Sequence, residues 1–291
     1  MRLNSIAAVL STLALTPLAL AQDTPAVKAP RSDEAVHVEF GADAWFSRLT
    51  GNVTSAAGVN RDIKALDLRD SEIAFAGHAR LSYDRCFAHL AGFSFDTDGE
   101  YASGGDSFQS DFQWWGLSAD LGYALFTPFS DACTPWSDAT FDRYGENVND
   151  DGSYRLDLRL SPTLGVTYHD VELNDLNVTQ SSLSATDGGW MSARVGGELQ
   201  LRLRPGADFN FLKEVIIGAG FSAGPTFGVS GDADGTGLAV ELQAGVQLLF
   251  HENVGAHLGY RLTDADFDGS ATASDLDLGV YGLFAGVTIR F

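Results

Sequence analysis

The feature that most restricts this chain is a two-residue alternation that recurs over most of its length. From Tyr154 to His169, one set is Tyr154, Leu156, Leu158, Leu160, Pro162, Leu164, Val166 and Tyr168. The set between them is Arg155, Asp157, Arg159, Ser161, Thr163, Gly165, Thr167 and His169. A period of two places such sets on opposite faces of a β-strand. Ala193–Arg204, Leu238–Phe250, Val254–Leu262 and Val36–Phe46 repeat the pattern, and no apolar stripe of period 3.6 competes with it. The alternating runs are long, whereas strands of soluble proteins cluster near five or six residues.

Ten strands follow from this pattern: 35–50, 65–84, 87–97, 109–128, 153–170, 189–204, 211–227, 237–250, 254–266 and 275–291. The seventh is the weakest, because Gly218, Gly220, Gly224 and Pro225 interrupt it and predict a bulge or bend. Eight and twelve strands are the alternatives. Residues 1–21 read as a secretory signal peptide: Arg2 precedes an apolar run that ends in the small residues Ala19 and Ala21. Residues 22–34 read as a flexible lead-in, and 35–291 as one β-barrel domain.

A strand needs about 9–11 residues to cross the hydrocarbon of a bilayer. Long alternating strands, aromatic strand ends and export together predict an all-β fold: a single transmembrane antiparallel β-barrel in the outer membrane. A secreted β-sandwich or lipocalin-like barrel is the soluble alternative. The last strand ends VYGLFAGVTIRF, with Tyr281, Leu283, Ala285, Val287, Ile289 and Phe291 on one face. In this respect the chain resembles small bacterial outer-membrane β-barrel proteins. The resemblance covers residues 35–291 in pattern. It implies that Tyr281 and Phe291 act as an assembly signal read by the barrel-assembly machinery, with outer-membrane lipid and lipopolysaccharide as surroundings.

If the leucines face lipid, the other face lines a lumen. That set holds Glu39, Asp43, Glu72, His78, Arg80, Asp120, Arg155, Asp157, Arg159, Arg194, Glu198, Arg202, Glu241, His257 and Arg261. Both signs of charge occur, so the lumen is either filled by an ion-pair network or left open as a narrow, charge-selective diffusion channel. The chain carries 39 acidic and 18 basic residues and a net charge of −21, which lacks the basic footprint of a nucleic-acid binder. Its two cysteines, Cys86 and Cys133, fall at the same rim of the expected barrel and are a candidate disulfide.

Three further signals bear on chemistry. His169–Asp170 is the best candidate hydrolase dyad, but neighbours on a strand point to opposite faces. His89 lies two residues after Phe87, part of a lipid A deacylase pattern, yet Ala91 stands where that pattern has serine. The acidic run Asp264, Asp266, Asp268, Gly269 and Asp275 has the carboxylate spacing of a calcium loop without flanking helices. It reads either as a calcium site, the one cofactor in view, or as a solvated acidic loop. Trp114, Trp115, Tyr123, Phe126 and Phe129 around the fourth strand, with Tyr83, Phe87, Tyr154 and Tyr168 near other strand ends, read as interfacial girdle residues. The pattern favours a non-enzymatic barrel with a structural or surface-interaction role. A diffusion channel and an outer-membrane hydrolase are the alternatives.

Overall fold

The computed structural model describes residues 36–54, 60–83, 85–103, 106–125, 155–176, 186–204, 211–231, 235–251, 253–269 and 275–291. Residues 1–34, with the expected signal peptide and lead-in, lie outside them, as does Cys133. The strands are β1 (His37–Thr54), β2 (Asn60–Asp62), β3 (Ser71–Tyr83), β4 (Cys86–Ser103), β5 (Asp106–Tyr123), β6 (Arg155–Leu176), β7 (Thr186–Arg204), β8 (Glu214–Gly231), β9 (Gly235–His251), β10 (Val254–Gly269) and β11 (Asp275–Arg290).

Each long strand pairs antiparallel with its neighbour in sequence, and β1 closes the sheet by pairing with β11 from Glu39↔Arg290 to Thr54↔Asp275. β2 is a three-residue appendage on the end of β1. Ten strands therefore form a closed antiparallel barrel, the architecture that the alternation implies. Closure leaves no free edge along the paired wall, where backbone groups bond across to the neighbouring strands. The ends meet in the wall, where the Val38 N–H donates to the Phe291 carbonyl at 3.1 Å and the Phe291 N–H donates to that of Val38 at 2.8 Å.

The strands outrun their expected bounds at the end opposite the termini. β4 continues to Ser103, β6 to Leu176 and β10 to Gly269. The reason lies in an exchange of faces along each strand. Near the termini the leucines point out: Leu121 and Leu164 are 67% and 65% exposed. Farther along the outward positions turn polar, as in Asp96, Asp98 and Glu100 on β4, while the inward ones turn apolar, as in Phe93 and Phe95. The alternation persists, but its sense reverses. One half of the wall is built to meet lipid outside, and the other is built like a water-soluble barrel with an apolar filling.

That filling is the hydrophobic core. Trp45, Leu49, Phe95, Phe112, Trp114, Trp190, Phe267, Leu276 and Leu278 pack inside the far half of the barrel. The segment between β2 and β3 folds in with them. It forms a single 3-10 turn over Ile63–Leu66, where 65–70 was expected to belong to a strand. Asp62 caps the turn by accepting from the Lys64 N–H at 2.8 Å, and Asp67 ends it in the left-handed conformation at φ 60°. The turn buries Ile63 and Leu66 in the barrel mouth, with Leu68 just beyond it. The Ser110 hydroxyl fastens it to β5 by donating to the Leu66 carbonyl at 2.8 Å.

β8 runs unbroken through Gly218, Gly220, Gly224 and Pro225, although its ladder with β7 skips Gly224 and Pro225 without changing register. The register shift between β7 and β8 sits at Gly189/Trp190. Gly218 and Gly220 alternate inward and leave room beside the lumen rather than bending the strand.

Candidate functional site in the barrel lumen

Below the apolar filling, the inward face of every described strand turns polar. Glu39 and Asp43 come from β1, His78 and Arg80 from β3, His89 from β4 and Asp120 from β5. β7 supplies Arg194, Glu198 and Arg202, β8 Glu214, β9 Glu241, β10 His257 and Arg261, and β11 Arg290. Three ion-pair groups result. Arg194 is the centre of the first: it donates from Nε to Asp120 Oδ1 at 3.0 Å, from Nη2 to Asp120 Oδ2 at 2.5 Å, and from Nη1 to Glu241. In the second, Arg80 donates to Glu198 at 2.9 Å while its guanidinium lies 3.7 Å from the centre of the Phe87 ring. In the third, nearest the termini, Arg290 binds Glu39, Glu214 at 3.0 Å and Gln247 at 3.3 Å. Arg202 lies 3.9 Å from Glu214 on its other side.

Three histidines run between these groups. The His78 ring centre is 5.8 Å from those of both His89 and His257. His257 bonds the Asp43 carboxylate through Nε2 and the Thr288 hydroxyl through Nδ1 at 2.9 Å. Glycine makes this approach feasible: a Cβ on Gly286 would collide with Asp43 and His257, and one on Gly41 would collide with His78. Two cavities lie among these side chains. One, of about 150 Å³, is walled in part by the three histidines, Asp43 and Arg261. The other, of about 90 Å³, lies beside Arg194, Glu241 and Thr167. Polar walls and this size suit water.

Of the residues marked by sequence, Glu39, Asp43, Arg80, Asp120, Arg194, Glu198, Arg202, Glu241 and Arg261 meet in these groups and cavities. Glu72 stands apart, toward the filled half, where its carbonyl accepts from the Ser47 hydroxyl at 3.4 Å. Arg159 is half-buried on β6. Arg155 and Asp157 occupy the β6 positions opposite Arg204 and Arg202. Sequence reasoning missed Glu214 and Arg290, although parity marks both: Glu214 alternates with Val215 and Ile217, and Arg290 with Ile289 and Phe291.

Other expectations are corrected. His169 and Asp170 form no dyad. His169 is fully buried in the apolar half and accepts from Trp114 Nε1 at 3.2 Å, whereas Asp170 accepts from Trp115 Nε1 at 2.8 Å on the other face. Trp114 is accordingly a core residue and not a girdle residue, and Phe87 is buried inward beneath Arg80; Trp115, tilted against Tyr168 with ring centres 5.1 Å apart, keeps the interfacial position. His89 points to the lumen, 3.9 Å from Asp120, away from any lipid substrate. The calcium loop is largely strand: Asp264, Asp266 and Asp268 pair with Val240, Leu238 and Thr236, and Asp275 opens β11. The extended backbone of β10 does not wrap Asp264 and Asp266 round an ion, no group of three or more ligating side chains converges among the described residues, and residues 270–274 of the expected loop lie outside them. Cys86 is exposed at the start of β4; its expected bond to Cys133 lies outside the described residues.

A closed antiparallel barrel with an apolar outer band and a polar lumen is the architecture of the outer-membrane β-barrel class. The outer membrane is where such a band finds its solvent. No protein-family model matches the chain, and no curated protein matches it. Among solved structures, Neisserial surface protein A is 12% identical, with 88% of this chain and 97% of that one covered and a TM-score of 0.32. Ail, the attachment invasion locus protein of Yersinia pestis, is 13% identical over 88% and 97%, at 0.32. The outer membrane protease OmpT of Escherichia coli is 7% identical over 91% and 99%, at 0.36. The barrel stands on this chain's own strand pairing, and nothing about function passes across likenesses so slight.

Proposed function

We propose that the chain is a non-enzymatic, non-conducting outer-membrane barrel with a structural or surface-interaction role. The observation that carries this reading is the double filling of the lumen. Ion pairs bridge the wall in one half, and aromatic rings with the Ile63–Leu66 turn occupy the other. Phe291, 70% exposed at the closing strand, suits recognition by the barrel-assembly machinery. Outer-membrane lipid meets the leucine-rich exterior, and lipopolysaccharide is the natural neighbour of the polar collar above it.

Planar-bilayer recording tests the reading. Purified, folded protein is expected to give no discrete conductance steps. Steady steps from the intact protein would establish the second reading, a narrow diffusion channel, which the two polar cavities support.

A further inference from the structure

His169 is a titratable group placed where a plain plug needs none. Its ring is fully buried at the base of the aromatic filling, with the ring centres of Phe93, Trp114 and Phe267 at 6.5, 5.7 and 6.0 Å. Phe267 in turn stacks on Trp190 at 4.3 Å. The Trp114 indole donates to His169 Nδ1 at 3.2 Å, which fixes the ring as neutral with its proton on Nε2. His169 Nε2 is itself buried and has no hydrogen-bond partner. An apolar side chain would fill the same place without stranding a donor.

The polar half begins directly below. Gly116, which pairs with His169, and Thr167, two residues before it on β6, both line the 90 Å³ cavity, and Phe93 lines it beside them. Across that cavity lie Asp120, Arg194 and Glu241. Two carboxylates on one guanidinium leave this group with a spare negative charge, and Glu241 is its open end, with a side chain 30% exposed. Glu241 and Arg194 are the charges that act on His169. The other charged or titratable groups facing inward from the strands packed on the ring are engaged elsewhere. His89 on β4 lies 3.9 Å from Asp120 on β5, Glu198 and Arg202 on β7 pair with Arg80 and Glu214, and His257 and Arg261 on β10 lie on Asp43. Above the ring, β4, β5 and β10 present Phe95, Phe112 and Phe267. The imidazole therefore has two neighbours with opposite demands: the Trp114 N–H requires a lone pair, and the Glu241 carboxylate favours a second N–H.

We propose that His169 is an acid-operated latch on the aromatic filling: protonation withdraws the acceptor that holds Trp114, turns the ring toward Glu241, and opens the filled half to water and small ions. The proposal rests on the sealed-lumen reading, since a latch needs a plug to hold. A proton taken up at Nδ1 leaves no lone pair for the Trp114 indole, and two N–H donors then face each other. A buried cation without a counter-charge is costly. The spare negative charge lies on the cavity side, so the ring turns that way. Trp114 and Phe267 lose the neighbour they pack on, and the filling loosens. Acid shifts the population toward this open state to the extent that it binds the proton more tightly than the closed one.

Planar-bilayer recording of the folded barrel, from neutral pH down to about pH 3.5, tests the latch. Discrete steps are expected to be absent at neutral pH and to appear on acidification. In H169Q, whose amide oxygen can still accept from Trp114, they are expected to be lost at every pH. The other lumenal histidines and carboxylates remain in H169Q, so the difference reads His169 alone. NMR of the Trp114 indole N–H, assigned with W114F, gives a second measurement on the unaltered chain. Its signal is expected to shift and to exchange faster with solvent over the same range, and it decides the matter should H169Q fail to fold. Steps that appear in H169Q at the same pH as in the unaltered barrel overturn the proposal, as does a Trp114 signal that stays fixed. A recording that is silent at every pH defeats the latch and leaves the sealed lumen standing. Steps already present at neutral pH defeat the sealed lumen and the latch with it.

Discussion

At the scale of the residue, adjacent side chains with opposite fates explain most of what the chain does. Trp114 is buried in the core while Trp115 stays at the exterior; His169 is enclosed by Phe93, Trp114 and Phe267 while Asp170 faces out. Composition cannot separate such neighbours, because an aromatic pair on a strand offers either ring to either side. Parity could have separated them, had the strand been followed past the lipid band. Arg194 is the residue on which the ion-pair network leans most. Its loss leaves Asp120 and Glu241 facing each other in a nearly closed space, so R194A is expected to lower stability by roughly 3–5 kcal/mol. Urea unfolding of the refolded barrel, followed by tryptophan fluorescence, measures it. The matched double variant R194A/D120A should recover part of the loss, since one stranded charge is then gone.

At the scale of the element, the 3-10 turn is what the periodicity left unread. Ile63, Leu66 and Leu68 have spacings of three and two, too few to declare a helix, and the strand expected from 65 absorbed the last two. The turn depends on Leu66 for its grip, and truncation of a buried leucine costs about 2–5 kcal/mol. L66A is expected to release the turn before the wall: amide exchange at Asp67 and Leu68 should accelerate while the β1–β11 pairing keeps its protection. Above the lipid band, Asp264 on β10 illustrates the reversed faces. Partial burial, then Asp277 and Asp266 beside it, hold its carboxyl above the ordinary aspartate range. A raised folded value means that the folded protein binds the proton more tightly than the unfolded chain. Its contribution therefore favours folding at low pH and is lost as pH rises through the folded value. D264N is expected to flatten the fall of the thermal midpoint as pH rises above the ordinary aspartate range, and to match or exceed the unaltered chain at neutral pH.

At the scale of the whole molecule, strand number and closure were legible because each strand keeps a period of two from end to end. What the alternation could not announce was where its sense would reverse, since that depends on which surroundings each height of the wall meets. The same blindness made a loop of Asp264–Asp268 and hid the hydrophobic core, whose members sit on nine strands and a turn and gather only after closure. Closure itself rests on the last strand. Deleting Phe291 is expected to reduce the yield of folded barrel in cells several-fold while leaving refolding of purified protein in detergent nearly unchanged; heat-modifiable gel mobility distinguishes the two.

The length of the wall has one more consequence. β6 has 22 residues. At ~3.3 Å per residue, tilted by ~40°, a strand of that length rises ~55 Å, about twice the ~25 Å height of an outer-membrane apolar band. The surplus continues as paired strand, a turret with an oily heart and a charged parapet. Whatever approaches this protein from the medium meets masonry first, held well clear of the bilayer.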